Sequence, residues 1–171
     1  MINAHEGDGA DDADAAPARW SGLARNGGDW WRARWFLVAL SAALPAIALF
    51  AFARQVGLHV ALPGSWLVFL LLTPLLEELV FRGLLQGALL RWRRLAAARL
   101  GISGANALTS LAFASAHLWR EPWPWAAATL LPALIFGIAR ERSGGVVAPC
   151  VLHAAYNAAM GLGLWLGSSW G

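Results

Sequence analysis

Charge is scarce in this sequence. Asp, Glu, Lys and Arg make up 13% of its 171 residues, about half of the roughly 25% usual in a soluble domain. Hydrophobic residues make up 58%. That balance excludes an ordinary water-soluble domain and points to an integral membrane protein of one domain. Lysine is absent, so all 13 basic residues are arginine. Tyrosine occurs once, against 11 tryptophans. The single cysteine, Cys150, permits no internal disulfide and lies in an apolar run, so it says little about redox compartment. A glycine-rich phosphate loop, a nucleic-acid motif and an internal repeat are also missing. The net charge of +3 does not imply nucleic acid, because the arginines cluster beside apolar segments, where they act as topology determinants.

Residues 1–29 are rich in Ala, Gly and Asp and have no apolar periodicity, which predicts a disordered acidic tail. The positively charged start of a signal peptide is not there. Residues 30–171 predict an all-α, polytopic membrane bundle of about five spans with a polar cavity between helices. The spans are expected at about 35–53, 65–90, 104–119, 124–139 and 146–166. Arg19, Arg25, Arg32 and Arg34 precede the first, Arg91, Arg93, Arg94 and Arg99 follow the second, and Arg140 and Arg142 follow the fourth. Ten arginines thus fall on one side, with Arg54 and Arg120 on the other and Arg82 inside a span. The positive-inside rule then puts the N-terminus in the cytoplasm and the C-terminus on the far side. Trp30, Trp31, Trp35 and Trp92 fall at inner ends and Trp66, Trp119, Trp123, Trp125 and Trp165 at outer ends, as an aromatic belt requires. Gly161 and Gly163 are expected to permit close helix packing.

The second span holds EELVFRG, residues 77–83. A charge near the bilayer centre costs about 2.5–3.5 kcal/mol on insertion scales, so three in six residues need a reason. On a helix Glu78 and Arg82 are i and i+4 and can pair. Glu77 points about 100° away, without that partner. An unpaired carboxylate inside a span is by default a functional-site hypothesis. The third span adds FASAH, with Phe113 and His117 on one face, and the fifth adds HAAYN, with His153 and Asn157 on one face. Tyr156, Asn106, Thr109, Ser110 and Gln86 are expected as interhelical hydrogen-bond partners.

A carboxylate beside an imidazole can hold and deprotonate water, and an Asn amide or His N–H can stabilise an oxyanion. These are parts for water attack on an amide carbonyl. Glu77, His117 and His153 could instead hold a catalytic zinc, although HExxH is absent. Ser110 and Ser115 lack a nucleophile's setting, and Cys150 lies on a helix face next to that of His153. A transporter or proton-relay protein would also carry ionisable residues within spans, but the absence of an internal repeat disfavours it. Depth along the helices sets a tension. Glu77 lies about 18 Å from its span's outer end, His117 near the outer end of its own, and His153 about 10 Å from an inner end. Convergence requires a displaced helix, and residues 118–125 are expected to be partly buried.

EELVFR, FASAH and HAAYN match EExxxR, FxxxH and HxxxN in order on successive apolar helices. The pattern resembles the CPBP family of intramembrane proteases, which includes CAAX prenyl endopeptidases and the bacteriocin-processing and self-immunity proteins formerly called Abi. The resemblance covers about residues 65–160. It implies that Glu77 is the base that activates water, assisted by His117, that His153 and Asn157 form the oxyanion site, and that Glu78, Arg82 and Phe113 support them. It implies a glutamic-type peptidase that requires no cofactor, with zinc as the alternative. The expected partners are a membrane-anchored protein or peptide substrate and the lipid bilayer, and the expected location is a bacterial inner membrane. The chain is shorter than the eight-span prenyl endopeptidases, which points away from prenyl-CAAX cleavage; its small size is compatible with removal of a C-terminal sorting tail, a role attributed to some short relatives.

Overall fold

The computed structural model describes residues 28–57 and 64–168. Residues 1–27 of the expected tail lie outside the described residues. The described residues fold as an all-α membrane helix bundle of five long helices, α1 Arg34–Gln55, α2 residues 66–90, α3 Gly104–His117, α4 Trp123–Ser143 and α5 Val147–Ser168, with short helical turns at Trp30–Arg32 and Arg93–Ala96. By length and composition α1, α4 and α5 are able to cross a membrane, with 22, 21 and 22 residues. At about 1.5 Å per residue each exceeds the roughly 30 Å of a hydrocarbon core. α2 has the length but carries the charged motif, and α3 has only 14 residues.

Proline sets the irregularities of two helices. α1 is interrupted by a turn at Ala42–Ala43, just before Pro45, which brings no N–H to the ladder. α4 is interrupted at Thr129, three residues before Pro132. α2 contains two π-helical stretches, Val68–Leu72 and Leu79–Gln86. The second begins directly after Glu78. Such widened turns are frequently found at functional sites.

Three expectations are corrected. α3 ends at His117 rather than near residue 119, and residues 118–124 are exposed rather than partly buried. The backbone N–H groups of Arg120 and Glu121 both fold back onto His117 O, which closes the helix there. The fourth helix continues to Ser143 instead of 139, because the chain stays helical until Gly144, at φ 73, donates its N–H to Arg140 O. Arg140 therefore lies within the bundle, 5% exposed, with Nε donating to Arg82 O at 3.2 Å. Residues 98–103 form a small hairpin, Ala98–Arg99 against Ile102–Ser103. Leu100 and Gly101 turn at φ 53 and 81, the left-handed pair of a two-residue turn.

The arginine-bearing ends share one face of the bundle. Glu141 near the end of α4 accepts from Gln86 near the end of α2 (2.8 Å) and from Ser103 at the start of α3 (2.6 Å). Arg142 stands 5.9 Å over the ring of Trp35 at the start of α1. α5 packs on α1 through small residues. A Cβ on Gly163 would run into Ile47 O of α1, and one on Gly161 would run into the Trp66 ring at the start of α2. Both glycines allow the close approach read from sequence. The core joins Phe36, Phe136, Ala139, Ala148 and Leu152, from α1, α4 and α5.

Of the polar residues expected to link helices, Tyr156 donates to Ala39 O, Asn106 to Leu134 O and Gln86 to Gly137 O. Ser110 differs, bonding to Asn106 within its own helix. Thr109 Oγ1 is buried and makes no hydrogen bond among the described residues.

Candidate active site

The helix face read from EELVFRG holds. Glu78 and Arg82 meet, with Arg82 Nε 3.2 Å from Glu78 Oε2, and both side chains are wholly buried. Arg82 Nη2 donates to Ala133 O on α4 at 2.9 Å. Its guanidinium lies 4.7 Å from the Phe113 ring and 5.6 Å from the Phe136 ring. An arginine between two aromatic faces gains cation–π attraction that strengthens when water is excluded. Glu78 is thereby neutralised and anchored.

Glu77 stands differently. Its side chain keeps 29% exposure, and its carboxylate faces His153 Nε2 at 3.6 Å. The other ring nitrogen of His153 faces Glu78 Oε1 at 2.9 Å. A carboxylate only accepts, so Nδ1 carries the hydrogen and donates it to Glu78. That fixes the tautomer and leaves Nε2 to exchange a proton on the Glu77 side. The ring is held flat against Phe136, 5.0 Å between centroids at 22°.

His117 joins this group through Phe113. The Phe113 ring centroid lies 4.6 Å from that of His117 and 5.9 Å from that of His153. His117 Nδ1 donates to Phe113 O at 2.9 Å, so Nε2 is the nitrogen available to the site. No hydrogen bond joins His117 to Glu77 among the described residues, although the two lie within electrostatic reach. Asn157 is half-buried, and its Nδ2 donates to Phe69 O on α2 at 2.9 Å. The structure thus brings Glu77, Glu78, Arg82, Phe113 and His153 into contact. It sets His117 beside them and turns the Asn157 amide to the α2 backbone.

The depth tension resolves when distance is taken from the shared arginine-bearing face. Glu77 is 13 positions from the Leu90 end of α2, and His117 is 13 positions from the Gly104 start of α3. Both therefore lie about 20 Å from that face. α5 starts from a turn in which Ser143 and Val146 are 3% and 4% exposed, so it begins inside the bundle, and His153 lies correspondingly deeper.

Phe136 and the carbonyl of Ala133 were not legible as site residues. Both belong to an apolar α4 run, and a phenylalanine that stacks on a histidine has no sequence mark that separates it from a core phenylalanine. Cys150 is a free thiol. Among the described residues no group of three or more His, Cys, Asp or Glu side chains is arranged to hold a metal ion.

Compared with known proteins, the chain is matched over residues 59–159 by the sequence model of the family described as Type II CAAX prenyl endopeptidase Rce1-like. All three motifs lie within that segment. No curated protein and no solved structure matches the chain.

Proposed function

Because the chain belongs to the Type II CAAX prenyl endopeptidase Rce1-like family, we propose that this integral membrane protein hydrolyses a peptide bond of a membrane-associated protein or peptide, with Glu77 as the base. One observation carries the reading: of two adjacent carboxylates, Glu78 is wholly buried and paired with Arg82, whereas Glu77 is partly exposed and faces a histidine.

In the proposed reaction Glu77 and His117 hold a water against the scissile carbonyl. Glu77 takes a proton from that water as its oxygen bonds to the carbonyl carbon, and the carbonyl oxygen becomes an oxyanion. The Asn157 amide supplies a hydrogen bond to it, once the bound peptide draws that amide from Phe69 O, and His153 Nε2 supplies a second when it has taken up a proton, Nδ1 keeping its own on Glu78. The proton on Glu77 then passes to the amide nitrogen, the C–N bond breaks, and an amine and a carboxylic acid leave. Oxyanion donors of this kind contribute about 2.7–4 kcal/mol in acyl-transfer enzymes. Glu78 orients His153 through Nδ1, and Arg82 holds Glu78. Arg82 Nη1 makes no hydrogen bond among the described residues, and a buried polar atom of this kind is usually met by water. No step is routed through a metal.

Further parts of the proposal are a bacterial inner membrane as the location, a cytoplasmic N-terminus, and a C-terminal sorting tail as the substrate segment. The test is cleavage of a membrane-anchored peptide by purified protein after exhaustive chelation. Cleavage lost in both Glu77→Gln and His117→Ala, with folding retained, is the expected result. Unchanged cleavage in both sinks the assignment, and abolition by chelation alone sinks the metal-free route. Ion or solute transport in proteoliposomes without proteolysis would favour a transporter.

A further inference from the structure

The loop between α2 and α3 forms a second site, remote from the glutamates. Arg94 and Arg99 line a cavity of about 360 Å³ together with Ile102, Ser103, Gly104 and Ala107. That volume falls within the roughly 300–1,000 Å³ of ligand pockets. Neither arginine has an acidic partner among the described residues. Glu141, which accepts from Ser103, does not line the cavity. The cavity therefore presents two uncompensated cations and an apolar floor, the Ser103 hydroxyl being engaged by Glu141 and Asn106.

Its rim has a second property. Leu100 at the tip of the hairpin is fully exposed, and Trp92 is 70% exposed. Leu100 also adopts φ 53, a conformation that glycine or asparagine takes more readily. A protruding leucine and tryptophan beside clustered arginines are the composition of a segment lying in the lipid headgroup layer. Basic pockets between spans at such a face take anionic lipid headgroups.

We propose that this cavity binds the phosphate-bearing headgroup of an anionic phospholipid, with Arg94 and Arg99 on the phosphate and with Trp92 and Leu100 seated in the bilayer beside it. The ligand reaches the cavity from the membrane plane.

The test uses the full chain in neutral detergent at about 0.15 M salt, where exposed charges more than about 8 Å apart are largely screened. Phosphatidylglycerol, and separately phosphatidylcholine, is titrated and bound lipid is counted by native mass spectrometry. The expected result is preferential retention of phosphatidylglycerol, weakened about 30-fold in the Arg94→Gln/Arg99→Gln variant. A charge-matched Arg32→Gln/Arg120→Gln variant is expected to bind within about twofold of the parent. Ala107→Trp, which fills the cavity without altering charge, is expected to lose the lipid with its circular dichroism unchanged. It keeps the proposal testable if the double arginine variant does not fold. Equal weakening in both double variants, or retention by Ala107→Trp, overturns the site. Full displacement by millimolar inorganic phosphate overturns the lipid and assigns a free phosphate instead.

Discussion

Two carboxylate nodes tie this bundle together, and they are built from different donors. At the arginine-bearing face Glu141 accepts from Gln86 and Ser103, neutral groups that do not titrate. Around it Asn106 and Gly137 pack so closely that a Cβ on the glycine would lie 1.9 Å from Asn106 Oδ1. At mid-depth Glu78 takes an arginine and a histidine, and Glu77 shares that histidine while staying open to the surroundings. The first node only holds helices in register. The second holds a partly exposed carboxylate, a histidine and a buried ion pair, the groups that the proposed reaction uses. A buried polar group is thus not itself a sign of chemistry; titratable partners together with an open carboxylate are.

The contrast can be broken from either end. The largest effect is expected at the mid-depth node. His153→Ala removes the group between Glu77 and Glu78, and cleavage should fall about 10²–10³-fold, the range for losing an oxyanion donor. Single-turnover assays on folded protein measure it. Next, Arg82→Met leaves Glu78 buried without its cation, and breaking such a pair costs about 3–5 kcal/mol. Unfolding in mild detergent should show that loss, while Glu78→Leu/Arg82→Met should recover most of the stability and none of the activity. At the structural node Gly137→Ala forces Asn106 aside, and overpacking of this sort costs about 1–3 kcal/mol. Unfolding should shift accordingly, with cleavage per folded molecule kept. The smallest effect belongs to Glu141→Gln. An amide oxygen can accept both hydrogen bonds that Oε1 accepts, so activity should stay within about twofold and stability within about 1 kcal/mol.

Much of this was legible in the sequence, for reasons that differ by residue. The five helices follow from apolar runs with arginines at alternate ends. The Glu78–Arg82 pair follows from helical spacing, and so does the isolation of Glu77 from it. That His153 rather than His117 lies against Glu77 was not legible, because it depends on where α5 begins, inside the bundle at a buried turn. The π-helical stretches in α2 were hidden too, since a widened turn is set by packing rather than by residue type. Arg140 read as a loop charge and is instead buried against the α2 backbone, because helix α4 runs one turn further before Gly144 ends it. The hairpin at 98–103 escaped because its strands are two residues each and Leu100 is a poor signal for a left-handed turn.

In the proposed reaction Glu77, and not its neighbour in the same motif or the carboxylate at the other node, takes the proton from water. The most direct measurement compares cleavage of one membrane-anchored peptide by Glu77→Gln and Glu141→Gln proteins of matched folded content. The account predicts a loss of about 10²–10⁴-fold in the first, the range for a general base, and near-parent cleavage in the second. A Glu77→Gln protein that cleaves at the parent rate would contradict it.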